Sequence, residues 1–237
     1  MYDMHSHILP NLDDGSSSVE MSLEILRSLR EQGVEKVLLT PHFYAYRTDI
    51  DSFLEKRRKS IECLLSALKE NPIDISLYVG AEVLYFDDIW CAENVDKLVI
   101  EGTKYIMVEF PFSPFNDFMM DRISRLISKG YTPIIAHVDR YLRYNRGLGY
   151  FYKLAEMGAL LQMNVSSAMN LASRIKLMPL IKKGLISVLG TDVHNMTERK
   201  PDYGEALPYI KKIFTEQSYQ YVLNRQAKIL ENAIKIY

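Results

Sequence analysis

The chain has 237 residues, 48% of them hydrophobic and 25% charged, and its 29 basic and 30 acidic side chains leave a net charge of −1. That is enough apolar material for one large domain spanning residues 1–237, of a size ordinary for an α/β barrel. The balanced charge excludes an overall basic field that would gather nucleic acid or an anionic membrane surface.

Short apolar, β-branched runs alternate with longer amphipathic stretches along the chain, the pattern of βα units. "YDMH" reads as a first strand. In "SSVEMSLEILRSLREQG", Ser17 and Glu20 fit a capping box, Val19, Leu23, Leu26 and Leu29 recur at helical spacing, and Gly33 can end the helix. "VEKVLLTPH" is the second strand, a charged amphipathic helix lies within 49–70, and "ISLYVGAEVLY" is the third strand. "YIMVEF" is the fourth, followed by a helix near "FMMDRISRLISKG". "TPIIAH", "ALLQMNV" and "SVLGTD" are the fifth to seventh strands, with helices near 150–157 and 168–183 and a helical C-terminal segment. Seven strand and helix pairs predict a parallel barrel, because parallel strands need crossovers and usually take helices.

Cys63 and Cys91 are the only cysteines, too few and too isolated for a disulfide framework or a zinc ribbon, and they read as reduced cytoplasmic thiols. The N-terminus has no basic region followed by an apolar core, and no apolar run approaches the ~20 residues of a membrane helix. A cytoplasmic protein without direct membrane insertion is therefore expected.

The five histidines all stand at or just past the C-terminal end of a predicted strand: His5 and His7 after the first, His42 after the second, His137 after the fifth, His194 after the seventh. Glu82 lies late in the third strand, Glu109 near the end of the fourth, and Asp192 closes the seventh. In a parallel barrel those ends share one face, where active sites lie. Imidazole and carboxylate suit borderline first-row ions such as Mn, Fe and Zn, and no thiolate is near to select a softer metal. Alternate residues of an extended strand point the same way, so the histidines of "HSH", and Asp192 with His194 in "TDVH", can each grip one ion together. Asp14 in "DDG" can swing over the mouth of the barrel or serve as a turn residue, and Asp13 reads as a supporting or capping group. Arg140 in "HVDR" and Arg199 in "HNMTER" are within reach of the same face; each is a phosphate-binding guanidinium or a solvated surface arginine.

Taken in order, "DMHSHILPNLDDG", "TPH", "GAEVLY", "VEFP", "AHVDR", "MNVSS" and "GTDVHN" resemble the polymerase and histidinol phosphatase (PHP) superfamily of metal-dependent phosphoesterases. Within it, the likeness is to the bacterial manganese-dependent protein tyrosine phosphatases of capsule and exopolysaccharide synthesis, and it runs nearly the whole chain. The resemblance implies a distorted (β/α)7 TIM-like barrel of the PHP fold holding three divalent ions, Mn first and Fe or Zn as alternatives. By motif, His5, His7, Glu82 and Asp192 would hold one metal, Glu82 would bridge to a second held by Glu109 and His137, and Asp14, His42 and His194 would hold the third. Arg140 and Arg199 match the family's phosphate-binding arginines. Asp139 stands where these phosphatases commonly carry Glu, and Lys200 where a small residue or proline is expected. The implied substrate is a phosphotyrosine protein, a tyrosine kinase of polysaccharide export.

Three divalent ions against four carboxylates leave such a site positive, suited to a phosphate dianion and to a metal-bridging hydroxide attacking phosphorus in line. The cysteine route to the same reaction is excluded, since it needs Cys, five residues, then Arg, and here Lys69 and Lys97 occupy those places. The alternatives are a small-molecule phosphatase such as one acting on histidinol phosphate, an amidohydrolase, and a binding module that keeps the fold without the chemistry.

Overall fold

The structure, a computed structural model, describes residues 1–237. Nine parallel strands and eight helices follow in the order β1 (Tyr2–Ser6), α1 (Val19–Glu31), β2 (Lys36–Leu39), β3 (His42–Phe43), α2 (Ile50–Glu70), β4 (Ser76–Val79), β5 (Glu82–Leu84), β6 (Tyr105–Glu109), α3 (Asp117–Ser128), β7 (Thr132–Ile135), α4 (Val138–Tyr141), α5 (Gly149–Glu156), β8 (Leu160–Asn164), α6 (Leu171–Lys182), β9 (Ile186–Gly190), α7 (Tyr203–Ile213) and α8 (Glu216–Glu231). No helix is long and apolar enough to cross a membrane.

The strands form two ladders, β1-β2-β4 and β3-β5-β6-β7-β8-β9. The predicted second and third strands are each broken in two, and the breaks lie side by side. At the first, Pro41 has no N–H to give a ladder, and Thr40 turns aside to β1, its Oγ1 accepting from the Ser6 amide at 3.0 Å. At the second, the Gly80 carbonyl accepts from the Arg57 guanidinium at 2.7 Å, and Arg57 also meets Glu101 at 3.0 Å. The buried bond from Arg57 to Gly80 stands in for a lost ladder bond, since a buried carbonyl without a partner is costly.

The ring closes between β1 and the end of β9, where the Asp192 amide donates to the His5 carbonyl at 2.8 Å and the His7 amide to the Val193 carbonyl at 2.9 Å. One apolar cluster draws Met4, Leu38, Tyr78, Met107, Ile134, Leu160 and Val188 from β1, β2, β4, β6, β7, β8 and β9, with Ile229 and Leu230 of α8. A single linked cluster drawing on all these strands fits strands arranged about a common axis, as in a barrel interior. A larger cluster, with Leu26, Leu39, Val108, Ile135 and Leu189, packs the strands against the helices. The architecture is thus the expected distorted (β/α)7 TIM-like barrel, its ladder interrupted at the two breaks.

One local expectation is corrected. The cap of α1 is Ser18, extended at φ −160° and accepting from the Met21 amide, and not Ser17, which is exposed. The helix starts one residue later than the capping-box spacing of Ser17 and Glu20 predicts, because Ser16 is buried by bonds to Ser18 and Ser22 and fixes the approach of the chain. Gly33 ends the turn after α1 with φ +85°, as a C-terminal glycine should. Cys63 and Cys91 are free and exposed.

Candidate metal centre

All nine sequence-predicted metal ligands meet at the C-terminal mouth of the barrel. His5, His7, Glu82, Glu109, His137, Asp192 and His194 are buried, His42 is half-buried, and Asp14 is exposed on the loop after β1. Three sets offer ligand atoms that lie within 4.8 Å of one another: His5, His7 and Asp192; His42, Glu82 and Glu109; and His7, Asp14, His42 and His194. Glu82 sits at the centre. Its Oε2 lies 3.2 Å from Nε2 of both His5 and His7 and 3.0 Å from Nδ1 of His42, and its Oε1 lies 2.9 Å from Nε2 of His137. His137 Nε2 is 3.3 Å from Glu109. The sets overlap more than the motif pattern implied, with His7 reaching toward Asp14, His42 and His194 as well as toward His5.

The donor set fits divalent cations. Both carboxylate oxygens of Glu82, Nδ1 of His42, both ring nitrogens of His137, Oδ1 of Asp192 and Nε2 of His194 are buried without a hydrogen-bond partner, although several lie within 3.5 Å of one another. They converge instead of bonding in pairs, and unpaired buried polar atoms are expensive unless something charged satisfies them. Nitrogen and oxygen donors of this mixture match Mn, Fe or Zn.

Burial alone would raise Glu82 and Asp192, yet the histidines around both, with Arg140 beside Asp192, hold them well below the ordinary carboxylate range. Burial opposes charge on His7, but Asp13 and Glu82 push it up to about 10. In the same way Glu109 and Glu82 push His137 up to about 9 against its burial. The carboxylates thus stay charged while His7 and His137 hold protons, which a bound cation would displace.

Backbone strain marks two of these residues. His137 has φ +31° and Asp192 φ +59°, conformations uncommon outside glycine that persist where surroundings enforce them, often at functional sites. The close approach of β1 and β9 also needs a glycine: a Cβ on Gly190 would lie 2.5 Å from the His5 Cβ.

Both predicted arginines reach the site through Asp192. Arg199 Nη2 stands 2.5 Å from its Oδ1 as an ion pair, and Arg140 donates a hydrogen bond to its Oδ2. The two departures from the family pattern have local partners. Asp139 accepts from the Asn164 amide at 3.0 Å and the Ser167 hydroxyl at 2.6 Å, and Lys200 pairs with Glu205 at 2.6 Å.

Sequence reasoning missed a supporting layer on β8. Gln162 Oε1 lies 3.2 Å from His5 Nδ1, its amide donates to Asn164 Oδ1 at 3.0 Å, and Asn164 donates on to Asp192 Oδ2 at 2.9 Å. Two polar residues at alternate positions in the apolar run "LLQMNV" were the available signal, since period two sends both to one face. It also missed Tyr44, Tyr46, Arg47 and Lys56, which with Phe112 wall the adjoining cavity of about 530 Å³ beside Asp14, His42 and Glu109. Tyr44 stacks on His42 at 4.9 Å and Tyr46 on Tyr44 at 5.6 Å, so an aromatic column leads outward from the centre.

Comparison with known proteins agrees with this architecture. The chain is 29% identical over 238 residues to the tyrosine-protein phosphatase YwqE of Bacillus subtilis (strain 168), covering 97% of this chain and 91% of that one. It superposes with a TM-score of 0.84 at 28% identity on a crystal structure from the study of YwqE of Bacillus subtilis and CpsB of Streptococcus pneumoniae, described as unique metal-dependent tyrosine phosphatases, over 99% of this chain and 96% of that one. A zinc- and phosphate-bound histidinol phosphate phosphatase from Lactococcus lactis shares the fold, with a TM-score of 0.55 at 11% identity over 92% of this chain and 93% of that one. The family model for capsular polysaccharide synthesis, CpsB/CapC, matches residues 1–231, and the chain belongs to that family.

Proposed function

We propose that the chain is a single-domain, metal-dependent phosphatase of protein phosphotyrosine acting in capsular or exopolysaccharide synthesis. The observation that carries this is the convergence of nine nitrogen and carboxylate ligands with two arginines at one barrel mouth. The names of the relatives, tyrosine-protein phosphatase over nearly the whole chain, support the substrate class.

His5, His7, Glu82 and Asp192, then Glu82, Glu109 and His137, then Asp14, His42 and His194 would hold three divalent ions, manganese first among them. Such ions supply positive charge to a phosphoryl group and bring water to a reactive state at neutral pH. Arg140 and Arg199, steadied by Asp192, present guanidinium groups to the phosphoryl oxygens, where charge builds as the bond to the leaving group lengthens. The aromatic cavity of Tyr44, Tyr46 and Phe112 accepts the phenyl ring, and a phenol, with a pKa of about 10, leaves with less protonation than an alcohol. The physiological substrate on this reading is a tyrosine kinase of polysaccharide export, met in the cytoplasm, which suits the free exposed thiols of Cys63 and Cys91.

The test is phosphate release with added Mn²⁺ from a tyrosine-phosphorylated peptide and from L-histidinol phosphate side by side. Preference for the peptide, abolished by a chelator and in His5→Ala and His42→Ala, is expected. Preference for histidinol phosphate, or near wild-type turnover in both variants, overturns the reading.

A further inference from the structure

A second cavity, of about 310 Å³, opens on the far side of Arg140 and is lined by Asp139, Arg140, Arg143, Ala172, Ser173 and Lys176. Three of these six residues are cationic and only one is acidic. That one is already engaged: both oxygens of Asp139 accept hydrogen bonds, from the Asn164 amide and the Ser167 hydroxyl. Arg140 spends one edge of its guanidinium on Asp192 and turns another part of its surface to this cavity. Neither Arg143 nor Lys176 forms an ion pair, in contrast to Lys153, which holds Asp117 at 2.8 Å. Arg143 lies instead over the Tyr144 ring, 5.0 Å from its centroid, an arrangement that orders the guanidinium and leaves its donors free.

We infer that this cavity is an anion subsite, which binds a second phosphoryl or carboxylate group carried on the same peptide as the phosphotyrosine. The inference rests on the phosphatase reading above for the identity of the first group. Two arginines and a lysine around a small cavity match the oxygens of such a group through paired N–H donors and point charge. Because Arg140 faces both the metal centre and the cavity, an anion seated here lies next to the phosphotyrosine subsite. The N-terminal amide of α6 at Ser173 is capped by Asn170 at 3.0 Å, so the side chains carry the attraction.

The neighbouring surface favours a peptide over a free anion. Leu171 and Ile175, one turn apart on α6, are 64% and 65% exposed, and they adjoin Ala172 and Lys176 on the cavity wall. Two large apolar side chains left in water beside a basic pocket give an extended chain somewhere to rest while its acidic group enters the cavity.

The test is fluorescence anisotropy on Mn²⁺-loaded protein. It uses peptides in which phosphonomethyl-phenylalanine, a non-hydrolysable phosphotyrosine mimic, stands at one position or at two nearby positions. The doubly charged peptide should bind about tenfold more tightly, a ratio that falls toward one in Arg143→Glu/Lys176→Glu and part of the way in Lys176→Ala. Equal affinity of the two peptides for the wild type overturns the inference, as does a ratio unchanged by the exchange. Inorganic phosphate is the second probe: if it binds in a manner sensitive to the same substitutions while the peptides are not discriminated, the cavity serves a free anion and the peptide assignment fails. Hydrolysis of phenyl phosphate, run in parallel, reports on the phosphatase reading alone. Its absence with the peptide ratio intact sinks that reading and leaves the subsite standing.

Discussion

Asp13 accepts the Nδ1 proton of His7 at 2.8 Å, and the same oxygen accepts the backbone amide of His42 at 2.9 Å. One carboxylate outside the ligand set thus fixes which nitrogen of His7 faces the centre and where the His42 strand begins. Burial would raise Asp13, but the His7 imidazole and the His42 amide hold it at about 2, so it stays an acceptor across the working pH range.

Asp13→Ala should therefore weaken metal binding by ten- to a hundredfold, the usual scale for losing the partner that orients a ligating histidine. Titration of the metal-free protein with Mn²⁺ reads this directly, by electron paramagnetic resonance or calorimetry. Unchanged affinity would mean that His7 is positioned by its strand alone.

Gly190→Ala tests the closure of the ring. The added methyl meets the His5 Cβ at 2.5 Å and the His5 amide at 2.8 Å, so β1 and β9 must part or His5 must move. The expected cost is about 1–3 kcal/mol of stability, with metal content reduced alongside. A variant with wild-type melting temperature and full metal content would contradict the packing described here.

Arg199→Ala should lower kcat for a phosphotyrosine peptide by about a hundredfold, the scale for removing one donor from a developing anion, while metal content stays near that of the wild type. Loss of metal together with activity would assign Arg199 to holding Asp192 and not to the phosphoryl group.

Asp202 predicts a pH dependence of stability away from the centre. It is buried at the start of α7, its Oδ1 has no hydrogen-bond partner, and burial together with nearby Asp3 pushes its pKa from 3.8 to about 7. The folded state therefore holds a proton that the unfolded chain releases. This group's stabilising contribution is full below 3.8, declines as pH rises, and is lost above about 7. Asp202→Asn should flatten the fall in melting temperature across that window and be more stable than the wild type at pH 8. Parallel melting curves at every pH would show that the carboxyl is ionised throughout.

The gathering of the nine candidate side chains was legible in the sequence because its signal is local. Strand ends follow from hydrophobic period and turn residues, and a parallel barrel gathers its C-terminal strand ends on one face, so five histidines at such ends sufficed. Ser18 was mistaken for its neighbour because adjacent serines offer the same oxygen, and only the buried Ser16 decides which becomes the cap. The breaks at Pro41 and Gly80 were hidden because apolar residues flank each of them, Leu38 and Leu39 before Phe43, and Val79 before Val83. At the second, Arg57, 23 residues away, donates to the Gly80 carbonyl, while at the first Thr40 bonds across to Ser6 on β1.

By itself the sequence determined the order of elements, the ligand chemistry and the absence of a cysteine route, since each depends on residue type and short spacing. Tertiary structure alone decided that His7 also lies close to Asp14, His42 and His194, that Gln162 and Asn164 brace His5 and Asp192, and that Arg143 meets Lys176 at a cavity beside Arg140. Those relations join residues far apart in the chain, and their distances are set by strand register, by the Gly190 contact and by helix packing, none of which leaves a periodic trace in sequence.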